Sequence, residues 1–109
     1  MHQQNETLIS AAEQCAKACE HCATACLGEH DIAKMVDCIK LDRDCADLCR
    51  AIAALAERDS SFTSEFARAV ASICKACGDE CSRHAMMEHC RKCAEACRRC
   101  EQACSSLAA

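Results

Sequence analysis

Proline, tryptophan and tyrosine are absent from this 109-residue chain, and glycine and phenylalanine occur only twice each. With no Pro, and Gly only at positions 28 and 78, little in the sequence breaks a helix, so the composition suits long uninterrupted ones. Core-building side chains are also scarce: 13 Leu, Ile and Val, four Met and two Phe. The apolar fraction of 51% comes mainly from 22 Ala and 15 Cys. That supply is thin for a hydrocarbon core, so thiols must occupy part of the interior. The metal-free protein should be low in stability, and metal bound to the folded state would raise it by mass action. No excess of positive charge is present. The net charge of −4 gives no case for nucleic-acid binding, which needs a basic face. The first residues, MHQQNETLIS, lack a basic segment followed by an apolar one, so they are not a signal peptide. No apolar run approaches membrane-spanning length. A cytoplasmic protein without nucleic-acid or membrane partners is expected. No Ser/His/Asp order, paired carboxylates or phosphate loop stands out, so an enzyme is not expected.

What the chain does have is cysteine at helical spacing. Cys90, Cys93, Cys97, Cys100 and Cys104 form an unbroken 3-4-3-4 repeat, and Cys15, Cys19, Cys22 and Cys26 are spaced 4-3-4. This is the period of the buried stripe on a packed amphipathic helix. One thiol in such a stripe is ordinary core filler, since Cys behaves as a small hydrophobe. Fifteen, nearly all in register, point to a core lined with soft ligands. In a reducing compartment clustered Cys more often bind metal than pair. The odd count also rules out complete internal pairing.

Four helices are expected, over about residues 6–27, 31–58, 61–82 and 85–107, within one domain spanning 1–109. Gly28 is a candidate C-terminal cap, Asp31 an N-cap, and Asp59-Ser60-Ser61 the break before the third helix. Short connections make neighbours antiparallel, giving an all-α, up-down-up-down four-helix bundle with a Cys-lined core. The motifs CAKACEHCATAC, CKACGDEC and CRKCAEACRRC echo one another along the chain. Glu88/Lys92 and Glu95/Arg99 read as solvated helix pairs. Stacking the helices puts a hydrocarbon plug of Leu8, Ile52, Leu55, Phe62 and Phe66 at one end and a tube of thiols along the rest. His30, Met35, His84, Met86, Met87 and His89 gather at the other end as a candidate metal entry. His21 is expected on the surface and His2 on a frayed end. Asp42 shares the heptad of Cys38, Cys45 and Cys49, yet such a residue more often leans to solvent with Leu41 turned inward.

Thiolate suits Cu(I), Zn and iron–sulfur clusters. Pairs at i and i+4, such as Cys15/Cys19, Cys22/Cys26, Cys45/Cys49, Cys77/Cys81, Cys93/Cys97 and Cys100/Cys104, can pinch one ion. Cu(I) accepts two or three soft ligands, and bridging thiolates let a tube hold many ions. Zinc wants closed tetrahedra, into which a continuous helical file divides poorly. The ferredoxin spacing C-x₂-C-x₂-C-x₃-C is absent. Cys15-x₃-Cys19-x₂-Cys22 matches the radical enzymes that use S-adenosylmethionine only formally, since those place their cysteines on a loop of a much larger barrel.

Repeated C-x₃-C along four Ala-rich helices with no export signal resembles the cytosolic branch of the bacterial copper storage proteins, over roughly residues 6–107. The resemblance implies a bundle binding many Cu(I) ions inside, commonly as a tetramer, with histidines at its open end. The ligands it implies are Cys15, Cys19, Cys22, Cys26, Cys38, Cys45, Cys49, Cys74, Cys77, Cys81, Cys90, Cys93, Cys97, Cys100 and Cys104. The expected function is Cu(I) storage. The alternatives are a zinc or general thiol metal buffer and an iron–sulfur redox protein.

Overall fold

The computed structural model describes residues 2–108, and side chains from Gln3 onward, so the side chain of His2 lies outside the described part. Four helices carry the chain: α1 (His2–Cys26), α2 (Val36–Glu57), α3 (Thr63–Ser82) and α4 (Glu88–Ala108). A short 3₁₀ turn, Ile32–Met35, leads into α2. Helix α1 packs on α2 and α4, and α3 packs on α2 and α4. The diagonal pairs face each other across the centre, so all four helices contribute to one core. The result is a rod of 45 × 17 × 17 Å. The α1–α2 and α3–α4 connections lie together at one end, called here the mouth; the α2–α3 connection closes the other.

Local chemistry sets where each helix stops. At the end of α1, Leu27, Gly28 and Glu29 donate their N–H groups to Thr24, Ala25 and Cys26, three residues back. These bonds tighten the last turn. Gly28 keeps a negative φ, so the glycine cap expected from the sequence is not formed. Asp31 precedes the 3₁₀ turn without a side-chain cap, and α2 starts at Val36 rather than near Asp31. The end of α2 is more sharply made. Ser60 N–H bonds to Leu55 C=O at 3.0 Å and Asp59 N–H to Ala56 C=O at 3.1 Å, the paired bonds of a Schellman turn. Asp59 takes the left-handed position usually given to glycine, with φ of 53°. Asn5 Nδ2 donates to Asp59 Oδ1 at 3.2 Å and to Ala56 C=O at 3.3 Å, fastening α1 over this turn. Before α3, Ser60 Oγ accepts from Phe62 N–H at 3.1 Å and Ser60 C=O from Thr63 Oγ1–H at 2.7 Å. Helix α4 begins three residues later than expected, because Arg83, His84 and Met87 N–H groups are held in turns to Glu80, Cys81 and His84.

The plug at the closed end is narrower than the sequence suggested. Leu8, Ile52 and Val70 are fully buried, with Ala12, Ala56 and Ala67 filling between them. Leu55 and Phe66 are half-buried against this cluster. Phe62 is 63% exposed and is not part of it. It sits in the turn ahead of α3, outside that helix's buried stripe. Gly78 permits close contact of α3 with α4: a β-carbon there would lie 3.3 Å from Cys97 Cβ and 3.7 Å from Ala94 O. On the surface Glu88 pairs with Lys92 at 2.8 Å, whereas Glu95 pairs with Arg91 at 3.4 Å instead of the expected Arg99.

Candidate metal centre

All fifteen cysteines are buried and none is in a disulfide. Each helix delivers its share through one stripe: α1 with Cys15, Cys19, Cys22 and Cys26, α2 with Cys38, Cys45 and Cys49, α3 with Cys74, Cys77 and Cys81, and α4 with Cys90 to Cys104. Small neighbours such as Ala16, Ala46, Ala94 and Ala96 are buried beside them and let the backbones approach.

The sulfurs form a file of close clusters along the bundle axis. Starting above the plug, Cys100 lies 3.8 Å from Cys49, which is 3.9 Å from Cys74 and 3.8 Å from Cys45. Cys45 and Cys97 each stand 3.8 Å from Cys15, and Cys97 is 3.9 Å from Cys19. Cys19 leads on to Cys93 at 3.6 Å and Cys77 at 4.0 Å. Nearer the mouth, Cys38 and Cys81 are 3.5 Å apart, and Cys22 stands 3.8 Å from Cys90 and 3.9 Å from Cys26. Cys104 is buried next to the plug, beyond Cys100. With a metal–sulfur bond of about 2.3 Å, three sulfurs around one ion stand about 4.0 Å apart and four stand about 3.8 Å apart. The thiols are therefore already at ligand spacing. Groups of four sulfurs, such as Cys15, Cys19, Cys45 and Cys97, lie within 4.8 Å of one another. Adjacent groups share members, since Cys15 also meets Cys49, Cys74 and Cys100, and Cys19 also meets Cys77, Cys93 and Cys97.

Asp42 interrupts this file. It is completely buried while Leu41 is only half-buried, the reverse of the solvent-leaning Asp42 that the sequence suggested. Its Oδ1 accepts from the thiols of Cys77 at 3.2 Å, Cys93 at 3.3 Å and Cys81 at 3.5 Å, and Oδ2 faces Cys38 at 3.9 Å. Those donors make an inward carboxyl tolerable, because a buried polar group must find partners. Burial is the main cause that pushes its pKa up to about 8. Burial likewise raises the thiols of Cys26 and Cys90, the latter to about 11, so both are protonated at neutral pH.

The entry residues named from the sequence separate once placed. His89 joins the thiols: its Nδ1 is 3.5 Å from Cys90, 3.6 Å from Cys22 and 3.9 Å from Cys26. Met35 is buried in the core at the same end, and Met87 packs against that core from its edge. His84 instead pairs with Glu80 at 2.9 Å. His30 and Met86 are exposed, Met86 fully, and His21 is exposed as expected. Two acidic residues were missed in the sequence. Glu80 holds His84, and Glu29 Oε2 accepts from His89 Nε2–H at 2.8 Å. Neither carries a periodic signal. Asp42 did, through its register with Cys38 and Cys45.

A protein-family model described as "Copper storage protein" matches residues 1–109. A Bacillus subtilis relative, the cysteine-rich protein YhjQ, is 44% identical over 109 residues and is covered completely by this chain, as this chain is by it. A cytosolic copper storage protein of Streptomyces lividans, solved with five coppers, superposes with a TM-score of 0.95 at 48% identity, covering 98% of this chain and 93% of its own. The Cu(I)-bound copper storage protein BsCsp3 superposes at 0.91 with 43% identity, covering 97% and 99%. None of the described helices is long and apolar enough to cross a membrane. By sequence over its whole length and by its cysteine-filled bundle, the chain belongs to the copper storage protein family.

Proposed function

We propose that this chain is a cytosolic, non-enzymatic store for Cu(I), holding about one ion per thiol inside a single bundle domain. The observation that carries this reading is the file of buried sulfurs along the bundle axis, whose neighbours within each cluster stand 3.5–4.0 Å apart. Ions can be shared along such a file because successive groups of ligands overlap.

Charge decides which ion suits it. Ionised thiolates in a water-free core carry a penalty of several kcal/mol per uncompensated charge. Exchanging one proton for one Cu(I) at each thiol leaves the core neutral at every stage of filling. Zinc in four thiolates leaves two excess negative charges per site, and the helical backbone offers no free N–H groups to absorb them. Fifteen thiols thus favour about fifteen monovalent ions over a few divalent ones. The proposed ligands are the fifteen cysteines. His89 Nδ1 joins Cys22, Cys26 and Cys90 at the mouth, where ions enter. The similarity to copper storage proteins supports the choice of metal and the cytosolic setting; a homo-oligomer, with a tetramer as the assembly, is part of the proposal.

Anaerobic titration of the reduced protein with Cu(I), followed by gel filtration and metal analysis, tests the reading. Ten or more ions per chain should co-elute with the protein. Saturation at three or four ions, with equal or tighter zinc binding, would instead make it a divalent-metal buffer. A brown chromophore bleached by oxidation would point to an iron–sulfur protein.

A further inference from the structure

His89 is held from both sides. Its Nδ1 points at Cys22, Cys26 and Cys90, and its Nε2–H donates to Glu29 Oε2 at 2.8 Å. Glu29 comes from the α1–α2 connection, sixty residues away in sequence. It is fixed there by its own backbone, whose N–H bonds to Cys26 C=O at 3.2 Å. The same short segment therefore carries one thiol facing His89 Nδ1 and the carboxylate that grips Nε2. Both His89 and Glu29 side chains are shielded, at 13% and 31% exposed, so the bond is not one of the freely solvated ion pairs of the helix surfaces. A ligating imidazole must be neutral and must present a lone pair. A carboxylate on Nε2–H leaves that lone pair on Nδ1, toward the sulfurs, and makes the ring a better donor.

We propose that Glu29 is a positioning residue for metal at the mouth: it fixes the tautomer and ring orientation of His89, so that Nδ1 and the three thiols receive incoming Cu(I) together. This rests on the proposed function, in which His89 is a ligand at the entry. The Glu80–His84 pair does not do the same work, because that imidazole bonds to its own helix neighbour and, among the described residues, to no sulfur.

The test is the rate at which reduced full-length protein removes substoichiometric Cu(I) from a chromogenic chelator, in wild type, Glu29→Ala, Glu29→Gln, His89→Ala and the Glu29→Ala/His89→Ala double variant. Far-UV circular dichroism accompanies each to verify an unchanged helix content. His89→Ala should slow uptake at least tenfold, and Glu29→Ala by 10–100-fold, the range for loss of a residue that orients a ligand. Glu29→Gln should restore uptake to within about threefold, because its amide oxygen accepts the same N–H. The double variant should be no slower than His89→Ala alone. Slow His89→Ala with normal Glu29→Ala would overturn the role of Glu29 while leaving the entry reading intact. An unaffected His89→Ala would overturn both. Equal slowing by Glu29→Ala with and without His89 would show that Glu29 acts on the fold and not through the ring.

Discussion

Replacing Cys93, Cys97 and Cys100 together with alanine separates ligand from filler. All three are fully buried on one stripe of α4. Each substitution removes one sulfur and leaves Cβ in place, so the close α3–α4 seam at Gly78, where an added β-carbon would stand 3.3 Å from Cys97 Cβ, is unchanged. Loss of a buried, methylene-sized atom costs about 1 kcal/mol including its small cavity, hence about 3 kcal/mol for the triple variant. A domain of this kind has roughly 5–15 kcal/mol to lose, so the metal-free variant should keep its helicity and melt at a lower temperature. Asp42 Oδ1 loses its Cys93 donor but keeps those of Cys77 and Cys81. Copper capacity, by contrast, should fall with the charge available: 15 thiols less three leave 12, and about 12 ions. Because Cys93 and Cys97 both contact Cys19, and Cys100 contacts Cys49 above the plug, the ions lost come from the middle and the closed end of the file, while the group around His89 stays intact. The assay is metal analysis after anaerobic loading, with circular dichroism on the same sample. An unchanged capacity, or collapse of the helices with unchanged copper per remaining thiol, would refute the assignment of these sulfurs as ligands.

Other consequences are open to equally direct checks. The carboxyl of Asp42 has its pKa raised to about 8 in the folded state. Its contribution to apo stability is therefore fully present below about pH 4 and lost as pH rises through about 8, with an upper limit of roughly 6 kcal/mol. Melting temperatures of metal-free wild type should fall across that window, and those of Asp42→Asn should stay nearly level; parallel curves would contradict the burial of an ionisable carboxyl. Copper uptake should weaken by about tenfold per ion for each unit of pH drop below the thiol pKa, because one proton leaves for each ion bound. Competition titrations at pH 6, 7 and 8 measure this slope, and a flat result would mean the thiols are ionised beforehand. Gly78→Leu should destabilise the bundle by more than 2 kcal/mol, since even a β-carbon meets Cys97 Cβ at 3.3 Å. Denaturant melts read this, and an unchanged midpoint would mean the α3–α4 seam is loose.

The architecture was legible because one signal dominates. Cysteine at 3-4 spacing marks four buried stripes, and all fifteen thiols lie inside. Helix ends were less legible, since they depend on turns whose bonds have no compositional trace. Gly28 looked like a cap and is not one, whereas Asp59 adopts the left-handed turn that glycine usually fills. Phe62 was assigned to the plug for its hydrophobicity, but its place in the turn before α3 leaves it in solvent. At the mouth, a count of His and Met could not tell which would face sulfur. Among the described histidines, His89 alone meets the thiols, because α4 starts at Glu88 and its first turn aims that ring inward. Asp42 shows the reverse failure. Its register with Cys38 and Cys45 is visible, but the three thiol donors that overrule the tendency of carboxylates to face water come from α3 and α4 and leave no trace near it in sequence.

In the proposed store, the core stays neutral by trading protons for monovalent copper. The most direct measurement counts both in one anaerobic Cu(I) titration, with metal analysis for the ions and a lightly buffered pH indicator for the protons. One proton released per ion, continuing to about fifteen ions per chain, is the predicted result. Saturation near three or four ions, with several protons released for each, would mean closed tetrathiolate sites and would contradict it.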